Sequence, residues 1–377
     1  MLKYRISAAI ASVAFAASLG GVALAAEPTA SAPADAPAAA SQAADAAAPS
    51  VESQTLGMEK LGNARELGGY VGADGRAVKH DLLLRSAKLA DATQADLDAL
   101  VNVHNLGYVV DFRTSAERAQ APDPEIPGVE NVWCSILDEN SNEGRMASGA
   151  TGSSDGGDAK DASSTSDKKD AGSAAVAGGT AATTGSSAAS DKKAAGSAQA
   201  GSAGKDAAAD QQAALVATVK QLAAYGTSTD LSDMYVTIAD SEHAQQGYRQ
   251  FFDVLLNTDG KAVLWHCTGG KDRAGLGAVL VLSALGVDRE TALDDFALTN
   301  DFTQQSIDAM VKVAEGAGMS DEEIQTVRDL AGVNRDYMAK ALDHIDATYG
   351  SMHDYLVNQI GLTDDEIAQL QEMYLEA

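Results

Sequence analysis

Short apolar runs, separated by polar stretches, mark out strands along the chain. Leu82-Leu83-Leu84 and Tyr108-Val109-Val110-Asp111-Phe112 have the length and composition of buried strands. Residues 129–134 and Ala262-Val263-Leu264-Trp265-His266 read as two more. Other windows carry helical spacing. Residues 93–101 start at Thr93, with Asp96 completing a capping-box-like pattern. Residues 241–256 place Tyr248, Phe252 and Leu255 on one face, and 274–285 form an apolar helix that stops at Gly286. Further helix starts appear at Ser320-Asp321-Glu322-Glu323, Ser351-Met352-His353-Asp354 and Thr363-Asp364-Asp365-Glu366. Strands that alternate with helices, followed by a helical tail, predict an α/β fold with a sheet flanked by helices.

Two segments break this pattern. Residues 27–50 are rich in Ala, Pro, Ser and Asp, and residues 140–210 are built from Ala, Gly, Ser, Asp and Lys, as in GSAAVAGGTAATTGSSAAS. Neither has the large apolar residues that would offset the entropy of ordering the backbone, so both are expected to be disordered. Taken alone, 140–210 could separate two domains or form a long loop inside one. The N-terminus has an export pattern: Lys3 and Arg5, an apolar stretch over 6–24, then Ala23-Leu24-Ala25. We expect a signal peptide at 1–25, a spacer at 26–54 and a secreted or cell-surface protein, with an uncleaved anchor as the alternative. No stable membrane insertion is expected after cleavage.

Composition narrows the function. The chain has 377 residues, of which 45% are hydrophobic, enough for one or two cores. Its formal net charge is -27, so it repels nucleic acid and anionic membranes at long range. No basic stripe with interleaved aromatics offsets that charge, and no nucleic-acid partner is expected. The acidic pair Asp294-Asp295 reads as helix N-terminal charge rather than a metal site. No His/Cys/Asp set has metal-ligand spacing, so no metal and no cofactor are expected.

The chemistry is concentrated in His266 to Gly275, HCTGGKDRAG, between a buried strand and a helix. Gly269 and Gly270 let successive backbone N–H groups of the turn point inward at the helix N-terminus, which makes a cradle for an anion. The same positive end favours the thiolate of Cys267. Arg273 can hold two phosphate oxygens bidentately, and Lys271 adds charge at the loop. Thr268, Gly269, Gly270, Lys271 and Ala274 are the expected substrate-binding positions. Attack by Cys267 on phosphorus would give a phosphocysteine that water then hydrolyses.

HCTGGKDRAG resembles the active-site loop of cysteine-dependent protein tyrosine phosphatases, in particular the bacterial branch with His-Cys-x-x-Gly-Lys-Asp-Arg loops. Asn63-Ala64-Arg65-Glu66-Leu67-Gly68-Gly69 is similar to that branch's N-terminal Asn-x-Arg-Asp-Leu-Gly-Gly. The segments Leu84 to Leu89, Val110 to Arg118 and the tail from Tyr349 to Thr363 resemble it as well. A bare C-x5-R is a weak signal; this set in this order is strong. The resemblance covers about Leu56 to the C-terminus, apart from the low-complexity segment. It implies a three-layer sandwich around a mostly parallel sheet, with a helical C-terminal part. It also implies one catalytic domain over 55–377, interrupted by an insertion at 140–210, that acts on a phosphorylated protein or a phosphoinositide.

The resemblance points to Asp272 as the acid that protonates the leaving oxygen. Asp111 is the second choice, with His266 and Arg113 as candidates for support. One departure matters: the branch usually has Thr or Ser after the loop arginine, and this chain has Ala274. The hydroxyl that would stabilise the departing thiolate is missing, so slower phosphoenzyme breakdown is expected. Cys134 could form a disulfide with Cys267 in an exported protein, which would mask the nucleophile. The alternative classes are a phosphate-binding pseudophosphatase and a cell-surface adhesion protein.

Overall fold

The strand Ala262–His266 (β6) is buried at every position, and its side chains are apolar until His266. Such a strand belongs in the middle of a parallel sheet covered on both faces. The computed structural model describes residues 50–140, 215–220, 222–224 and 231–377. The expected signal peptide, most of the spacer and nearly all of the 140–210 insertion lie outside the described residues.

β6 pairs in parallel with β3 (Leu83–Ser86) on one side and β4 (Leu106–Asp111) on the other. β5 (Glu130–Trp133) extends the sheet in parallel beyond β4, and β1 (Arg65–Glu66) closes the other edge antiparallel to β3. The order is β1-β3-β6-β4-β5. Strands from both sides of the 141–214 segment therefore stand in one sheet. A separate pair, β2 (Ala77–Val78) with β7 (Leu375–Glu376), ties the C-terminus back to the N-terminal part.

Alternation of side chains along the strands builds two cores. Val263 and Trp265 point into one, with Phe251, Phe252, Leu276 and Leu280 from helices α4 (Glu242–Leu255) and α5 (Asp272–Ala284). Ala262 and Leu264 point into the other, with Leu97 and Leu100 of α1 (Gln94–Asn102). This is the expected α/β sandwich. A third cluster joins helical residues around Val219 to α7 (Thr299–Gly316) and α8 (Asp321–Ala331). Helices α6 (Arg289–Ala297), α9 (Arg335–Tyr349) and α10 (Asp364–Tyr374) complete the C-terminal part.

Local caps match their sequence signals. Thr93, Ser320 and Thr363 each form a full capping box with the residue three positions on. The end of the expected spacer departs from the expectation of disorder. Ser50 and Ser53 cap a helical turn, and the buried Gln54 donates to Gly68 O at 3.1 Å. A buried amide with a backbone partner fixes those residues to the body. No helix among the described residues is long and apolar enough to cross a membrane.

Candidate active site

All of β3, β4, β5 and β6 end at the same edge of the sheet, and the turn from β6 into α5 lies there. Gly270 makes this turn with φ of +67°, and a Cβ there would come within 2.4 Å of Ser86 O. Only glycine fits. The carbonyls of the turn are claimed one by one. Lys88 N donates to Thr268 O at 3.2 Å. Asn63 Nδ2 donates to Gly269 O at 3.3 Å and Gly270 O at 2.9 Å, and Arg85 Nη2 donates to Gly270 O at 2.9 Å. The backbone N–H groups of Thr268, Gly269, Gly270 and Lys271 donate to no other described residue. With their carbonyls held outward, these amides form the concave donor set that binds an oxyanion.

A buried ion network holds the side chains that hold the carbonyls. Asp295 accepts from Arg65 Nε at 3.2 Å and from Arg85 Nη1 at 2.8 Å, and all three residues are fully buried. Tyr70 Oη also donates to Asp295, at 3.2 Å. Burial alone would push the Asp295 carboxyl up; the two guanidinium charges outweigh it and hold it below its ordinary value. Asp295 sits in the second half of α6, so the reading of Asp294-Asp295 as helix N-terminal charge is corrected. Two buried arginines, brought from β1 and β3, select this carboxylate.

Arg273 follows the turn in α5. Its Nη1 and Nη2 donate to Glu117 Oε2 and Oε1, each at 2.7 Å, and Nε donates to no described residue. Glu117 also accepts from Thr268 Oγ1 at 2.5 Å, and from Thr114 at the cap of helix α2 (Ser115–Gln120). Burial would raise its carboxyl, but Arg273 and these hydrogen bonds hold it below the usual range. The guanidinium is thus fixed beside Cys267, which is 2% exposed.

Both the loop and the sheet that carries it are those of a known group. A profile of the tyrosine phosphatase family matches residues 56–376. The chain belongs to the tyrosine phosphatase family. It is 26% identical over 334 residues to a protein of Cupriavidus necator named provisionally as a tyrosine-protein phosphatase, covering 87% of this chain and 92% of the relative. It is 32% identical over 134 residues to the triple specificity protein phosphatase PtpB of Mycobacterium tuberculosis, over 33% of this chain and 48% of that one. A tyrosine-protein phosphatase of Nostoc commune is 30% identical over 156 residues, 38% of this chain and 52% of the relative. By class this chain is a phosphoric monoester hydrolase of the tyrosine phosphatase type.

The remaining expected residues of this phosphatase fall into two groups. His266 Nδ1 lies 3.1 Å from Cys267 O and so orients the residue that carries the thiol. Its Nε2 faces Asp123 Oδ2 at 3.1 Å without the alignment of a hydrogen bond. Asp111 accepts from Arg113 Nε at 2.9 Å, from Arg113 Nη2 at 2.8 Å and from Arg118 Nε at 3.0 Å. Burial pushes its carboxyl up, but His266 and Arg113 beside it hold it well below the carboxylate range. Both oxygens of the Asp111 carboxylate are thus engaged by arginines. Asp111, Asp123 and His266 bring ligand atoms within 4.8 Å of one another, and Arg113 Nη2 bonds both carboxylates. An arginine already balances that cluster.

Asp272 is the first residue of α5 and is half-buried, with Tyr235 Oη donating to its Oδ1 at 2.6 Å. Lys271 turns elsewhere. Its Nζ donates to the carbonyls of Leu330, Ala331 and Gly332, at 2.9, 3.3 and 3.0 Å, and caps the C-terminus of α8. Ala274 is fully buried, and its carbonyl accepts from Trp265 Nε1 at 3.0 Å. Cys134 and Cys267 are both free. Asp111 of β4 pairs with His266 on one side and with Trp133 on the other. The Cα atoms of the two cysteines, each one residue beyond these partners, are therefore about two strand spacings apart, ~10 Å, beyond the ~7 Å a disulfide allows. Burial pushes the Cys134 thiol up to about 12.

Glu117, Asp123, Asp295 and Tyr235 were not assigned site roles by sequence. A cavity of about 420 Å³ among Val287, Leu342, Met352, Leu356 and Ile367 includes none of the loop residues.

Proposed function

We propose that this chain is an exported phosphatase that hydrolyses phosphate monoesters through a phosphocysteine on Cys267. The observation that carries this reading is the turn itself. Every carbonyl from Thr268 to Lys271 is claimed from outside, the amides are unclaimed among the described residues, and Arg273 is locked onto Glu117 in the helix that follows.

A phosphate dianion fits that concave set, held by the amides of residues 268–271 and by the Arg273 guanidinium. The Cys267 thiolate attacks phosphorus. The S–P bond forms, the ester O–P bond breaks, and the Asp272 carboxyl gives its proton to the leaving oxygen. In the second step water attacks the phosphocysteine. The S–P bond breaks, Asp272 takes a proton from the water, and Cys267 leaves as thiolate with inorganic phosphate. Asp111, Arg113 and His266 support the strand ends. Lys271 joins α8 to the loop.

A thiol that is 2% exposed must be reached by a long substrate arm. Phosphotyrosine meets that requirement better than phosphoserine, and it is the substrate class we infer first. The triple specificity in the name of the Mycobacterium tuberculosis relative supports a panel of more than one substrate class, and phosphoserine, phosphothreonine and phosphoinositide substrates are the ones we add to it. Export rests on the sequence pattern of residues 1–25 alone.

The test is hydrolysis of 4-nitrophenyl phosphate by the full chain under reducing conditions, beside Cys267→Ser. Turnover by the wild type and loss in the variant support the reading. No turnover by either would leave a phosphate-binding pseudophosphatase role in its place.

A further inference from the structure

Tyr235 lies in α3 (Ser232–Asp240) and is 1% exposed. Its ring stands edge-on to Phe296, with centroids 5.7 Å apart and an interplanar angle of 90°. That packing alone would suit a phenylalanine. The hydroxyl, however, is spent on one acceptor, Asp272 Oδ1, at 2.6 Å. No other described side chain donates to the Asp272 carboxylate. A buried phenol is costly unless its O–H is paired, so this bond fixes both partners.

The consequence is geometric. An aspartate at the first position of a helix has two free side-chain torsions. One short bond to a phenol held by its own packing removes that freedom. It occupies Oδ1 and leaves Oδ2 as the oxygen able to carry a proton toward the leaving group. We propose that Tyr235 is the positioning residue for Asp272, holding the carboxyl so that Oδ2 meets the leaving oxygen of the substrate in the phosphatase reaction. The inference rests on the reading of Asp272 as the general acid. Burial, with Asp272 beside it, pushes the Tyr235 hydroxyl well above its ordinary value, so it stays a donor wherever the enzyme works.

The experiment uses the full chain and three proteins: wild type, Tyr235→Phe and Asp272→Asn. Each is assayed on 4-nitrophenyl phosphate, whose leaving group needs little protonation, and on phenyl phosphate, whose leaving group needs much. Loss of a general acid is worth on the order of a hundredfold or more on the poor leaving group. We expect Asp272→Asn to show that loss on phenyl phosphate and a far smaller one on 4-nitrophenyl phosphate. Tyr235→Phe keeps the ring and should show the same split, reduced to about tenfold, because the acid is present but unheld. Inhibition by vanadate, which reads the amide cradle and Arg273, should stay within about twofold of the wild type in Tyr235→Phe, since neither the 268–271 amides nor the Arg273 guanidinium loses a contact.

If Asp272→Asn splits the two substrates and Tyr235→Phe does not, the positioning role is wrong while the acid stands. An equal loss on both substrates in Tyr235→Phe, with weaker vanadate inhibition, would mean a structural role and would also overturn it. If Asp272→Asn shows no split, the acid reading fails and this inference fails with it.

Discussion

Glu117 and Arg273 meet as two planar groups, each Nη nitrogen 2.7 Å from one carboxylate oxygen. Both are buried, so the pair costs desolvation that is recovered only through this bidentate geometry and the added bonds from Thr268 and Thr114. Its effect is to fix the direction in which the guanidinium meets a phosphate. Glu117→Gln keeps the size but loses the charge and one acceptor. We expect kcat/KM on 4-nitrophenyl phosphate to fall by about tenfold to a hundredfold, the cost of a misplaced binding group. An unchanged value would show that Arg273 needs no such anchor.

Adjacent aspartates should behave very differently. Asp295 is fully buried between Arg65 and Arg85, whereas the side chain of Asp294 is 46% exposed and pairs with Arg335 at 2.8 Å. Removing the charge of Asp295 leaves two buried guanidiniums uncompensated. Asp295→Asn should cost about 3–5 kcal/mol in urea unfolding. Asp294→Asn should cost less than about 1 kcal/mol. Similar losses in the two variants would contradict the network described here.

Gly270→Ala should abolish activity. The backbone there has φ of +67°, and the new Cβ would lie 2.4 Å from Ser86 O, a backbone atom that cannot swing aside. The turn must open, and the amide cradle opens with it. Activity within about threefold of wild type would show that the cradle tolerates another shape.

The pH dependence of stability follows from carboxyls held below their ordinary values. In Asp111, Asp295 and Glu117, burial acts upward but neighbouring cations prevail. The unfolded chain then binds more protons than the native one as pH falls, so the stability these groups give is present above the unfolded carboxylate range and lost below it. Melting temperature should begin to fall as pH drops below about 5 and keep falling below about pH 3, as the native carboxyls themselves take up protons. A flat melting curve across that window would mean that these ion pairs contribute nothing net.

Ala274 sets the last prediction. No hydroxyl at position 274 can donate to the departing Cys267 sulfur. Ala274→Ser should speed breakdown of the phosphoenzyme, seen as a smaller burst and a faster steady state in rapid mixing with 4-nitrophenyl phosphate. Unchanged burst and steady-state rates would rule out this residue as the cause of a slow second step.

Much of this was legible in the chain. β4, β6 and the capped helices announce themselves because their signals are local: an apolar run, or a Thr or Ser with an acid three residues on. The loop was legible because Cys267 to Arg273 is contiguous. β1, β2 and β7 were not, since two-residue strands carry no period and exist only through distant partners. Glu117 lies 156 residues from Arg273; in sequence it shows as the third residue of a helix capping box and within the Val110 to Arg118 segment of the resemblance, neither of which names its partner. That local role hid the distant one. Asp295 was read as helix charge because its arginines come from β1 and β3. Tyr235 was not legible, because an aromatic ring in a helix gives no hint of where its hydroxyl goes.

The central claim is a covalent bond between Cys267 and phosphorus. It is tested most directly by quenching the enzyme in acid during turnover of 4-nitrophenyl phosphate and weighing the peptide that carries Cys267. The account predicts the added mass of one phosphoryl group on that peptide in the wild type, and none in Cys267→Ser. Hydrolysis that proceeds with no phosphorylated Cys267 peptide, or that survives in Cys267→Ser, would contradict it.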